Sequence, residues 1–233
     1  IEAANKRPAE DSEKGIGLLL QHIKDLCGNA DFYEYFLDSL AFKLKYPTRK
    51  NNIAYIFKSL QGAGKDSFFD WFGNEMIGSK YYLNIQGLSQ LENFNALLSC
   101  KLMVVLNEFE IRESITNKEK FKALITNVVN IINEKNEKMR KEKDFINYYL
   151  LTNYLISFII ENGDRRLTAT EANNLICNVK EYFDELYQRI YGKDKNGECK
   201  PYKTVKPLST SSSSSTSSST SSSSKKAADL KKF

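Results

Sequence analysis

Three short stretches put phosphate chemistry within reach of this sequence. In "SLQGAGKDSFF", residues 59–69, Gly62 and Gly64 flank Ala63 and lead straight into Lys65, Asp66 and Ser67. A phosphate cradle needs consecutive backbone N–H groups turned inward, glycines that permit that backbone, a helix start behind them and a lysine that reaches the outer phosphates. The second stretch, "KLMVVLNEFE", carries Asn107 and Glu108 at the end of an apolar run. A hydrolytic nucleotide site needs an acid at that place to polarise water or to hold a metal. The third, "INYYLLTN", ends in Asn153 and is followed by the basic pair Arg165-Arg166. Taken singly, each has a bland reading: a glycine turn, a solvated strand-end acid, a turn-forming asparagine, a surface pair of arginines. Their order, with an apolar run feeding each one, favours the functional reading.

The elements that must hold these residues follow from apolar spacing. "IGLLLQHIKDLCG" carries Leu18, Leu19, His22, Ile23 and Leu26 at three-and-four spacing and stops at Gly28; "DFYEYFLDSLAFKLKYP" does the same and stops at Pro47. His22 lies on that stripe and reads as a core or edge histidine rather than a ligand. "IAYIF", 53–57, is a short β-rich run that leads into the glycine loop, and "DSFFDWFGNEMIG" then reads as a helix. A helix over "LSQLENFNALLS", a strand over 101–106, a helix over roughly 117–132 and a strand ending at Asn153 complete the middle, with "LISFII" leading into "ENGDRR". Strands alternating with helices predict an α/β fold with a mostly parallel central sheet and a helical N-terminal layer.

Apolar residues make up 41% of the 233 residues, enough for one ordinary domain with a sizeable core. A net charge of +5 permits an anionic partner without requiring one. No run approaches the ~18 apolar residues of a membrane span, so no membrane is expected as a partner. Cys27, Cys100, Cys177 and Cys199 form no CxxC pair, which fits a reducing, intracellular compartment. The division expected is a linker over 1–14, a helical lead-in over 15–50, a catalytic domain over 51–208 and a tether over 209–233. Residues 209–224 are all Ser or Thr, with nothing to bury against the entropy of ordering, and a short basic tail follows them. The opening "IEAANKRPAED" has no methionine, so a piece of a longer polypeptide is expected.

From about Leu18 to Leu167 the chain resembles the superfamily 3 helicase domain of viral and phage primase-helicases, including the poxvirus-type family. The likeness runs through the helical lead-in, the Walker A-like "SLQGAGKDSFF", "NFNALLSCKLMVVLNEFE" with the Walker B strand, "LITNVVNIINEKNEKM", and "INYYLLTNYLISFIIENGDRR" with the motif C asparagine and its downstream arginine. The resemblance implies an AAA+-like P-loop NTPase that uses ATP and Mg2+, works as a ring, usually hexameric, and moves on single-stranded DNA to unwind duplex. It implies a viral or mobile-element replication protein with a primase region on the same polypeptide, active in host cytoplasm or nucleus. Lys65 would contact the β- and γ-phosphates, with Gly62, Ala63, Gly64, Asp66 and Ser67 lining the loop. Glu108 would orient the attacking water, Asn153 would sense the γ-phosphate, and Arg165 or Arg166 would reach into a neighbouring subunit's site.

The departures from the pattern fall on the metal. Asp66 stands in place of the usual hydroxyl, Ser59 where the loop often has glycine, and Asn107 where Walker B often has an acid. Asp66, Ser67, Asn107 and Glu108 are therefore the candidate metal ligands, with the missing carboxylate moved across the site to Asp66. For DNA, the resemblance implies a hairpin in "NEKNEKMRKEKD" whose Lys135, Lys138, Arg140, Lys141 and Lys143 would neutralise phosphates in a sequence-tolerant way, although interleaved glutamates also fit a plain solvated loop. Two other function classes stay open: a nucleotide-binding initiator or scaffold without turnover, and a different ring ATPase for packaging or remodelling.

Overall fold

The computed structural model describes residues 9–86, 95–107, 120–134, 136–153 and 164–191. The chain divides into two units, Ile1–Tyr202 and Lys203–Phe233. All of the second lies outside the described residues, as does the Ser/Thr tract.

The first unit is built on five strands: β1 (Ala54–Lys58), β2 (Tyr82–Gln86), β3 (Met103–Asn107), β6 (Asn147–Thr152) and β7 (Leu167–Glu171). Their order across the sheet is β2-β3-β6-β1-β7, and all four pairings are parallel. β4 (Val129–Ile132) and β5 (Arg140–Lys143) form a separate antiparallel hairpin. A parallel sheet must be covered on both faces, and the central strands read accordingly as unbroken apolar runs. Alternation along each strand divides the cover. Tyr55, Phe57, Met103, Val105, Tyr149 and Leu151 face the helices α1 (Ala9–Cys27), α2 (Ala30–Lys45) and α3 (Lys65–Trp71). Ala54, Ile56, Val104, Leu106, Tyr148 and Leu150 face Phe121 and Ile125 of α4 (120–126) and Ile132 of the hairpin.

Phe36 of α2 joins the helical layer to the sheet. Its ring meets those of Tyr55, Phe57, Phe68, Phe69 and Tyr149 at centroid separations from 4.9 to 6.3 Å. Each such pair adds about 0.5–1.5 kcal/mol beyond area burial, so α2, β1, β6 and α3 are held as one block around the start of the glycine loop. Among the described residues no helix is long and apolar enough to cross a membrane.

Several elements differ from the sequence expectation. Helix α1 starts at Ala9 rather than Gly15, so its first turns lie in the segment read as linker. The helix expected over 117–132 is helical only over 120–126 among the described residues; Val129–Ile132 is a strand. β-branched Val129, Ile131 and Ile132 favour the extended form, and pairing with β5 decides it. β2 and β7 escape a purely apolar criterion, because each buries its first and fourth residues only. Of "LSQLENFNALLS" only the last part is described, and it is a 3-10 turn over Asn95–Leu98. After Trp71 the helix widens to π geometry through Gly78, and α5 (Lys180–Leu186) does the same over Tyr187–Tyr191.

Candidate functional site

Neighbouring strands β1 and β6 send their chains in opposite directions across the sheet. From β1 the chain passes through α3 to the far edge at β2, whereas from β6 it goes to β7 on the other side of β1. A ligand crevice forms outside the C-terminal ends of parallel strands where such a reversal occurs. The glycine loop opens from β1 into that crevice. Loop residues 60–66 line a cavity of about 150 Å³ together with Gln86, Asn107, Leu151 and Asn153, contributed by the ends of β2, β3 and β6.

Gly62 and Gly64 both take left-handed backbone angles, φ +84° and +80°. Substituents there would meet the Asn178 side chain and the rings of Phe183 and His22, all under 3 Å away. Glycine is therefore required twice over, by conformation and by space. The loop is also held from outside. Asn174 Oδ1 accepts from Leu60 N at 2.9 Å, Asn178 N donates to Gly62 O at 3.1 Å, and His22 Nε2 donates to Gly64 O at 3.2 Å. Gly64 O also accepts from Phe68 N, which starts α3 at the loop's end.

Lys65 is nearly buried, and its ammonium lies across the gap between β1 and β6. It donates to Thr152 O at 2.9 Å, to Asn153 Oδ1 at 2.8 Å and to Ser59 O at 3.5 Å. Burial pulls its pKa down to about 8, against the opposing pull of Asp66. The cation is thus under-solvated and, among the described residues, hydrogen-bonded by neutral oxygens, a state that an anion in the crevice would relieve. Lys65 and Asn153, brought together from the first and third sequence stretches, are in direct contact.

Asp66 is exposed at the mouth of the cavity and hydrogen-bonds the Asn107 side chain. Partial removal of its carboxyl from water raises its pKa, with Lys65 and the Asn107 hydrogen bond opposing and Asp70 adding to the rise. Asn107 Nδ2 donates to Asn84 Oδ1 at 2.9 Å, while Asn107 Oδ1 is buried and has no partner among the described residues. Asn84 Nδ2 and Tyr82 OH in turn donate to Asp70 Oδ1, at 2.8 and 2.6 Å. Ser67 points elsewhere, its hydroxyl bonded to Tyr187 OH. Among the described residues no three His, Cys, Asp or Glu side chains gather as a metal cluster. Mg2+ does not need one, because it binds through one or two carboxylates, phosphate oxygens and water. The exposed Asp66 carboxylate and the orphaned Asn107 oxygen fit that requirement.

Glu108 and Lys135 lie outside the described residues. Arg165 and Arg166 stand at the opposite rim from the cavity, just before β7: Arg166 O accepts from Ala54 N at the beginning of β1. Asp164 holds Arg166 through Nε at 3.0 Å and also approaches Lys122. Arg165 is exposed.

The hairpin separates the basic candidates. Lys138, Lys141 and Lys143 are exposed. Arg140 instead pairs with Glu134 at 2.7 Å, Glu142 at 2.9 Å and Glu137 at 3.3 Å, and its bonds to Glu134 and Glu142 push its pKa further up. Lys141 and Lys143 share their face with exposed Ile131 and Val129, their partners in register. The loop's outer clamps, Asn174 and Asn178, and the Asn84–Asp70 pair carry no local sequence signal. Asn84 lies on β2 and the two clamps follow β7, the two elements hardest to read, while Asp70 sits within α3.

A family of unknown function (DUF5906) matches residues 57–166, a span that contains every candidate residue above. A DNA primase-polymerase of Nitratiruptor phage NrS-1 is 30% identical over 187 residues, covering 79% of this chain and 26% of that protein. The apo structure of the NrS-1 C-terminal region (305–718) superposes with a TM-score of 0.65 at 27% identity, covering 74% of this chain and 43% of that one. An A form of the same region gives 0.63, also at 27% identity. The chain spans about a quarter of the length of the phage protein it matches.

Proposed function

We propose that this chain is the ATP-hydrolysing motor of a phage or other viral DNA replication protein, of the superfamily 3 helicase kind, which moves on single-stranded DNA and unwinds duplex. The observation that carries the reading is the Lys65 ammonium at the β1/β6 reversal, buried and held by Asn153 Oδ1 and Thr152 O behind two left-handed glycines. The likeness to a phage DNA primase-polymerase supports a place in DNA replication.

In this mechanism the N–H groups of the loop and the start of α3 would bind the phosphates. Lys65 leaves Asn153 for the β- and γ-phosphates, which restores a full counter-charge to its ammonium. Asn153, released, is free to report on the γ-phosphate or the attacking water. Glu108, next to Asn107, orients that water. Mg2+, held by Asp66 and Asn107, would offset charge on the phosphates during transfer. Arg165 is the better finger, because Asp164 holds Arg166 whereas Arg165 is exposed. Its place at the opposite rim means that it would serve a neighbouring subunit, which accords with a hexameric ring. Primase functions would belong to the rest of the polypeptide.

The neutral Asn107 favours a second reading, a nucleotide-binding scaffold without turnover; hydrolysis separates the two. The cradle itself is tested by ATP affinity. A charge-assisted bond is worth about 1.5–3 kcal/mol, so Lys65→Ala is expected to weaken ATP binding roughly ten- to a hundredfold. Equal affinity in wild type and variant would remove the basis of the reading.

A further inference from the structure

On the reading that the cradle binds nucleotide with a divalent cation, we propose that Asp70 and Asn84 are positioning residues. Together they fix which end of the Asn107 amide faces the metal. The direction of each bond in the chain is forced. An ionised Asp70 only accepts, so Asn84 must turn its Nδ2 towards it, as it does at 2.8 Å. That leaves Asn84 Oδ1 facing Asn107, whose Nδ2 donates to it at 2.9 Å. The remaining group of Asn107 is Oδ1, buried and without a partner among the described residues. A buried carbonyl oxygen without a donor is costly, and a metal or metal-bound water supplies what it lacks.

The far end of the chain is anchored. Tyr82 OH gives Asp70 Oδ1 a second bond at 2.6 Å, and the Tyr82 ring is packed so closely over Gly73 that a Cβ there would lie 2.3 Å away. Asn84 is opposite Val105 in the β2–β3 register, which makes Asn107 its diagonal neighbour on the sheet. Replacing Asp70 by an amide removes the polarity rule from this end and leaves the Asp66 carboxylate, which also hydrogen-bonds the Asn107 side chain, as the one remaining group among the described residues that orients it. Residue 70 could then donate to Asn84, Asn84 could reverse, and Asn107 could present an N–H to the cation. The strand bearing no candidate ligand of its own thereby sets the metal's ligand.

The test uses the full chain and Mn2+ as the probe, followed by its paramagnetic signal in the presence of saturating adenylyl imidodiphosphate. Asp70→Asn and Asn84→Ala are compared with wild type, with thermal midpoints and analogue affinity in EDTA measured alongside. Outer residues that orient metal ligands typically change metal affinity by about 10- to 100-fold. Both variants are expected to bind the analogue in EDTA within about twofold of wild type while holding Mn2+ roughly tenfold or more weakly. Undiminished Mn2+ affinity in either folded variant overturns the relay and leaves the cradle standing. If Asp70→Asn does not fold, Asn84→Ala alone decides. Failure of the wild type to bind the analogue at all overturns the cradle, and the relay with it.

Discussion

His22 shows how much a single side chain can hold in place here. It is the only histidine in the chain, fully buried, and flanked by the rings of Tyr182 and Phe183. Its Nε2 donates to Gly64 O, so Nδ1 is the unprotonated nitrogen, and Nδ1 is buried without a partner among the described residues. Burial lowers its pKa, partly offset by the Gly64 bond and by Asp25. Protonation would create a second donor facing no acceptor. Because the folded pKa is depressed, the unfolded chain takes up a proton first as pH falls below the ordinary value near 6.5. Stability is therefore complete above that value and is lost on the way down, with a limiting slope of about 1.4 kcal/mol per pH unit. Urea midpoints between pH 7 and 5 are expected to fall in wild type and to fall less in His22→Gln. Identical slopes would show that the imidazole does not titrate as described. The apolar stripe of α1 announced a core or edge histidine; that it clamps the glycine loop was not legible, since no local pattern relates residues so far apart in sequence.

Among the elements, the β4–β5 hairpin divides its cations by face. One face packs inward with Ile132 and carries Arg140, which its three glutamates neutralise. The other presents Lys141 and Lys143 beside exposed Ile131 and Val129. If the hairpin contacts single-stranded DNA, Lys141 and Lys143 supply the phosphate contacts. Each lost contact flattens the log–log salt dependence of single-strand binding by about 0.7. A Lys141→Ala/Lys143→Ala double variant is thus expected to bind more weakly, with a slope about 1.4 flatter, and Arg140→Ala to keep the wild-type slope. An unchanged slope in the double variant would remove the hairpin from the DNA interface. The elements differ in how openly the sequence declares them. β1, β3 and β6 are central strands covered on both faces, so their apolar runs stand out. β2 and β7 lie at the edges with half their residues polar, and "VVNII" satisfies helical and extended spacing alike until β5 pairs with it.

For the whole molecule, the five-stranded parallel sheet places the two ends of the proposed chemistry on opposite rims. Lys65, Asn107 and Asn153 sit at the C-terminal rim, and Arg165 at the start of β7, on the order of 13 Å away along a five-residue strand. On the proposed function, that separation asks for a ring of subunits, in which one chain's arginine would meet the next chain's phosphates. The same sheet reversal that opens the crevice also joins Lys65 to Asn153, two residues whose partnership depended on strand order rather than on sequence spacing. The central claim, a nucleotide cradle that drives movement on DNA, is tested most directly by steady-state ATP hydrolysis with and without single-stranded DNA. It is measured at ring-forming concentrations for wild type, Lys65→Ala, Arg165→Ala and an equal mixture of the two variants. The account predicts turnover in wild type that rises with DNA, none in either variant alone, and partial recovery in the mixture, where an intact arginine meets an intact cradle. Turnover in wild type that ignores DNA, or that survives Lys65→Ala, would contradict it.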